Sequence, residues 1–244
     1  MSRAPGRLRR GPGRRSGADD GQRALAHRLA ALLLDYPDDE LLRRLPAVRA
    51  AAATLPEVVR DHLLGVVDHL AATPPQEAGA GYVETFDLRR RACLYLTYYA
   101  HGDTRQRGVA LLAFKQAYRA AGLLLREDEL PDHLCVVLEF SATQDLAAGT
   151  ALLLEHRAGL EVLRLALQDA GSPYAGAVAA VCATLPPLAG DDRDAVARLV
   201  AQGPPDESVG LEPYGLHDPA LRAPTTLPMP DPSFPGPPRE GARR

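Results

Sequence analysis

Three thiols, Cys93, Cys135 and Cys182, are the most reactive side chains in this 244-residue chain; they are odd in number and far apart. They form no Cys-x-x-Cys pair and no His/Cys cluster at zinc-site spacing. His133 and Cys135, two positions apart, would need distant partners to hold a metal. Reduced, packed thiols account for all three, and nothing points to a disulfide framework. Catalytic motifs are equally scarce. The glycines at 79 and 81 are not followed by the Lys-Ser/Thr pair of a phosphate loop, and there is no Gly-x-Ser-x-Gly elbow or His-Glu-x-x-His pair. The ionisable residues alternate in sign along helix faces, as a solvated surface does. The sequence offers no catalytic residue and no metal site, and an enzyme reading has no motif behind it.

Aromatic residues are the stronger signal. Seven of the twelve Tyr and Phe residues lie between 82 and 118: Tyr82, Phe86, Tyr95, Tyr98, Tyr99, Phe114 and Tyr118. Read as a helix, Leu88, Ala92, Tyr95 and Tyr99 share one face with Tyr98 beside them. Tyrosine combines a broad apolar ring with a hydroxyl that needs a partner, so such a cluster suits a groove for an amphipathic peptide. The same rings also suit a core. The candidate contacts are Tyr82, Phe86, Tyr95, Tyr98, Tyr99 and Phe114, with Asp87, Asp103, Asp132, His133 and Glu139 shaping or charging the surface. Asp132 and His133 follow Pro131 directly, where capping of the next helix also explains Asp132. Arg89, Arg90 and Arg91 are consecutive and would fan out around a helix.

The elements that must position these residues read as helices throughout. Leu25, Leu29, Leu32, Leu33 and Tyr36 recur at steps of three and four until Pro37. Asp38 or Asp39 caps a second helix carrying Leu41, Leu42, Leu45 and Val48, with Pro46 a possible kink. A third follows Pro56, with Val59, Leu63, Val66, Val67 and Leu70. Residues 74–81 read as a loop. A block from Tyr82 to Gly122 breaks at 101–104, and Gly122 suits a helix C′ position. Pro131 opens another helix. One long helix is expected from about 146 to 170, another after the Ser172-Pro173 pair, and a last one capped by Asp191 or Asp192. No period-two strand pattern appears. The expected fold is all-α, a single compact helical domain of roughly eight to ten helices over residues 22–202. Residues 1–21 read as a disordered Arg-rich extension, and 203–244 as a Pro-rich, largely disordered tail.

Charge is unevenly spread. Residues 1–23 hold seven arginines against Asp19 and Asp20, a net of +5, which leaves −8 on the remainder of a chain whose total is −3. The basic stretch has no aromatic residues to stack bases, so no nucleic-acid partner is expected, although a helical adaptor using this tail on nucleic acid is the competing reading. Its Arg9-Arg10 and Arg14-Arg15 pairs are not followed by an apolar stretch that would make an export signal. No apolar run is long enough to span a bilayer. A cytoplasmic protein without direct membrane insertion is expected, its oligomeric state left open.

The block from Tyr82 to Gly108, continuing through Ala110–Gly122, resembles the signature region of the respiratory nitrate reductase delta subunits, or molybdenum cofactor assembly chaperones. Leu130–Leu134 with Leu138–Phe140, Ser172–Ala175, and Gly203–Pro205 leading to Gly210–Tyr214 are similar as well, so the resemblance spans residues 24–214. Pro131-Asp132-His133 matches a loop motif of the wider group of redox-enzyme maturation chaperones. The resemblance implies an all-helical, non-enzymatic chaperone of the apo nitrate reductase alpha (catalytic) subunit, binding its N-terminal segment. Such a chaperone would enable insertion of the molybdenum cofactor (molybdopterin guanine dinucleotide) before membrane docking. It would hold no cofactor stably itself and would be absent from the mature enzyme. The acidic excess beyond residue 23 would attract a basic client segment.

Overall fold

Ala- and Leu-rich stretches punctuated by Pro, Asp and Gly form helices wherever an apolar stripe can be buried, and eleven α-helices carry most of the chain's described residues. The computed structural model describes residues 17–102, 104–125 and 129–202. The helices are α1 (Gly17–Leu33), α2 (Asp39–Ala52), α3 (Glu57–Ala72), α4 (Pro75–Phe86), α5 (Tyr98–His101), α6 (Arg105–Ala120), α7 (Leu134–Thr143), α8 (Leu146–Glu155), α9 (Arg157–Asp169), α10 (Ala175–Thr184) and α11 (Gly190–Gln202). Among the described residues there is no strand, only an isolated antiparallel bridge between Tyr95 and His133. The all-α expectation holds. Residues 1–16 of the expected Arg-rich extension, the Pro-rich tail from 203 and Asp103 lie outside the described residues, whereas residues 17–21, expected to be disordered, open helix α1.

Helix α10 is the axle. Ala177, Val178, Ala180 and Val181 have no exposed surface, because α1, α3 and α9 pack around it. Helix α1 runs along α7 on one side of this axle. Three local devices set the helix ends that matter. The Asp38 carboxylate accepts the Leu41 N–H at 2.7 Å to open α2, which then runs through Pro46 as one helix. The Asp145 carboxylate accepts the Ala148 N–H to open α8. Helix α6 closes on Gly122, whose φ of 80° only glycine adopts without strain. There the Leu123 N–H reaches the Tyr118 carbonyl and the Gly122 N–H that of Arg119, a Schellman closure that turns the chain sharply into Leu123–Leu125.

Four sequence expectations fail for physical reasons. Residues 75–86 are helix α4 and not a loop: Pro74 and Pro75 occupy positions where a helix needs no N–H donor, and Gly79 is buried under Tyr36. Residues 87–97 are not helical. After a short 3-10 turn at Arg90–Ala92 the chain extends, because Leu94 and Leu96 exchange backbone hydrogen bonds with Leu134 and Asp132. Tyr95 and Tyr99 therefore share no helix face. The expected helix from 146 to 170 breaks at His156, whose ring stacks on Phe114 at 5.0 Å. Neither Asp132 nor Ser172 caps a helix; α7 begins after His133 and α10 after Tyr174, both without a side-chain cap.

Candidate functional site

The outward stripes of α1 and α7 face each other across a groove of about 920 Å³. From α1 come Arg28, Ala31 and Leu32, with Asp35 just past its end; from α7 come Cys135, Val136, Glu139, Phe140 and Thr143. Both sets recur at three- and four-residue steps, so each helix presents one continuous row. The third wall is the segment released by Gly122: Leu123, Leu124, Leu125, and then Glu129 and Leu130. Tyr95 and His133 close one end, and Tyr118 lies beneath. Leu124 is 85% exposed and Leu130 42%, an unusual state for two leucines beside an apolar floor.

The end formed by Tyr95 and His133 is held by a buried polar clasp. Asp132 has no exposed surface, and its Oδ2 accepts both the N–H and the hydroxyl of Thr97, at 3.1 and 2.5 Å. The Arg107 guanidinium donates to Thr97 Oγ1 at 3.2 Å, lies 3.8 Å from Asp132 Oδ2, and sits over the Tyr95 ring. The Tyr118 hydroxyl donates to the Pro131 carbonyl at 2.6 Å. A carboxylate taken out of water must be paired, and here the pairing ties residues 94–97 to 131–134. Tyr95 and His133 are thereby set edge to face with centroids 5.1 Å apart. Burial holds the His133 imidazole below its ordinary pKa despite the opposing pull of Asp35, Asp132 and Glu129, so it is neutral at neutral pH.

The residues singled out from sequence divide into several groups. Tyr95, His133 and Glu139 line the groove. Asp132 lies behind it as the clasp. Tyr82 and Phe86 pack with Tyr36 and Tyr174 in an aromatic cluster against the end of α1, with centroids 4.8 to 5.7 Å apart, and the Tyr82 hydroxyl donates to the Leu34 carbonyl. Burial pushes the Tyr82 phenol far above its ordinary pKa. Tyr99 and Phe114 are core. The Tyr99 hydroxyl donates to the Arg91 and Cys93 carbonyls, and the Phe114 ring has no exposed surface. Tyr98 packs half-buried against Tyr99, and Asp87 is an exposed residue ending α4. The groove residues missed from sequence include Arg28, Asp35, Leu123–Leu125, Glu129 and Val136. Three consecutive leucines after a C-capping glycine were the available signal.

The groove can hold an apolar segment; among the described residues no group of His, Cys, Asp and Glu side chains is placed to bind a metal, and no helix is long and apolar enough to cross a membrane. Residues 45–180 match the family model described as nitrate reductase delta subunit. The chain is 45% identical over 155 residues to the nitrate reductase-like protein NarX of Mycobacterium tuberculosis, covering 64% of this chain but 23% of that protein. It is 33% identical over 144 residues to the probable nitrate reductase molybdenum cofactor assembly chaperone NarJ of Bacillus subtilis, 59% of this chain and 78% of that protein. It is also 33% identical over 150 residues to the nitrate reductase molybdenum cofactor assembly chaperone NarJ of Escherichia coli K12, 60% and 64% of the two chains.

Proposed function

The chain belongs to the nitrate reductase delta subunit family, and from that premise we propose that it is a non-enzymatic, cytoplasmic chaperone for the catalytic subunit of a nitrate reductase. The groove between α1 and α7 receives the N-terminal segment of the apo alpha subunit as an amphipathic helix. The chaperone keeps the apo-enzyme competent for molybdenum cofactor insertion, delays membrane docking until then, and leaves. The cofactor is the client's and is not held here. Two relatives bear the name of molybdenum cofactor assembly chaperones, which supports the reading. The observation that carries it is the groove itself, with rows from two helices flanking an apolar floor and exposed leucines along its third wall. Helix-in-groove recognition needs that geometry.

Calorimetric titration with a peptide from the N-terminus of the alpha subunit encoded beside this chain tests the proposal. Saturable one-to-one binding is expected, weakened at least tenfold by Val136→Arg, which places a long cation in the floor while leaving the melting temperature near that of the parent. A parent chain that does not bind, or a variant that binds equally well, overturns the assignment of the groove.

A further inference from the structure

The groove is electrically lopsided. At one end Arg28 and Glu139 form an ion pair that neutralises both, and Thr143 and Gln144 beside them are uncharged. At the other end stand Asp35 and Glu129, both exposed, and neither forms an ion pair with any described residue. The two ends are separated along α1 by the seven residues from Arg28 to Asp35, about 10 Å at 1.5 Å per residue, which is two turns of a bound helix. Helix α7 runs the opposite way across the groove. Its Glu139 meets Arg28, while His133 and Cys135 near its start lie close enough to Asp35 to feel that charge. Asp35, Glu129 and the buried Asp132 all act on His133, which locates the acidic end at the Tyr95–His133 wall. Of the three, Arg107 partly offsets only Asp132.

A helix carries about half a positive charge at its N-terminus and half a negative charge at its C-terminus. An apolar floor alone accepts a helix in either direction, whereas this charge pattern distinguishes the two. We infer that the client segment binds in one direction, with its N-terminal turn and the basic residues of that turn over Asp35 and Glu129, and its C-terminal turn beside Arg28 and Glu139. The inference rests on the client reading above and assigns its polarity. Asp35 and Glu129 are specificity determinants, while the apolar floor supplies most of the affinity.

The test uses the full chain and two peptides of one composition. Each has the apolar stripe of the alpha-subunit N-terminus, one with two lysines in its first turn and the other with them in its last. The parent chain is expected to prefer the first by about tenfold at low salt, and the preference to shrink as ionic strength rises. The double variant Asp35→Asn, Glu129→Gln, whose melting temperature checks its fold, is expected to lose that preference and to bind the second peptide as the parent does. Equal affinity of the parent for both peptides, or a preference untouched by the double variant, overturns the polarity and leaves the client reading standing. If neither peptide binds the parent, the client reading falls and the polarity with it.

Discussion

His27 and Arg28 are neighbours on α1 that face opposite worlds, and the two faces of the α1–α7 pair differ in the same way. On the inner face His27 Nδ1 lies 2.8 Å from Ser141 Oγ on α7, and Nε2 lies 2.9 Å from Thr184 Oγ1 on α10. The Thr184 hydroxyl donates to the Val181 carbonyl, so Nε2 carries the imidazole proton and Nδ1 accepts from Ser141. Every hydrogen-bonding atom of the ring is used. Ser141 is also hemmed in by α8, where a Cβ at Gly149 would fall 2.3 Å from its own. On the outer face Arg28 and Glu139 make an ion pair about two-fifths exposed, worth little in water, beside a cavity that no described residue fills. One pair of helices is thus closed by a satisfied polar lock on one side. On the other it borders the groove lined by Leu32, Val136 and Phe140. The contrast separates what holds the fold from what is left for a ligand.

The sharpest way to break the contrast is His27→Ala. Removing a fully buried ring leaves a cavity and strips Ser141 and Thr184 of partners, an expected loss of about 3–5 kcal/mol. Chemical denaturation followed by circular dichroism reads it. Peptide affinity measured on the folded fraction should change little, because the ring does not line the groove. A smaller effect comes from acid. Burial lowers the His27 pKa from an ordinary 6.5 to about 4, with Arg23 adding to the shift. The unfolded chain therefore takes up a proton before the folded one does. Stability is full above pH 6.5 and is lost as pH falls toward 4, by roughly 3 kcal/mol in total. His133 and His156 are also held low by burial and act in the same direction. The His27 share is the part of the acid loss that disappears in His27→Gln, and an unchanged slope in that variant would remove the lock from the account.

The two faces were not equally legible in sequence. The inner one follows from the helical period, since Leu29, Leu33, Leu63, Val66, Val67 and Leu70 are buried where their spacing puts them. The outer one does not, because its α1 row is the mixed set Arg28, Ala31, Leu32 and Asp35, and such a row has no apolar period to detect. Tyr82, Phe86, Tyr99 and Phe114 were singled out by ring type, yet chain geometry sends them into an aromatic cluster or the core. The extended run that leads into Tyr99 is fixed by the Asp132–Thr97 clasp, a contact between residues thirty-five apart. Asp132 itself was visible as a charged residue next to a proline; local capping explained it too easily, and its long-range partner was invisible to any periodicity.

Leu124 gives the smallest effect on stability and the cleanest separation of the two faces. It stands 85% exposed on the groove's third wall, one residue beyond the Schellman closure at Gly122–Leu123. Leu124→Ser removes little buried area in the free chain, so its unfolding free energy is expected to stay within about 0.5 kcal/mol of the parent. On binding, the same leucine would be covered by the client, and burying a leucine side chain is worth about 1.5–3 kcal/mol. Even half of that burial corresponds to roughly a threefold to tenfold weaker complex, readable by the calorimetric titration used for the parent. Loss of stability without loss of affinity would mean that the leucine wall belongs to the fold. Loss of affinity at unchanged stability is the expected result, and it would make the wall part of the ligand site.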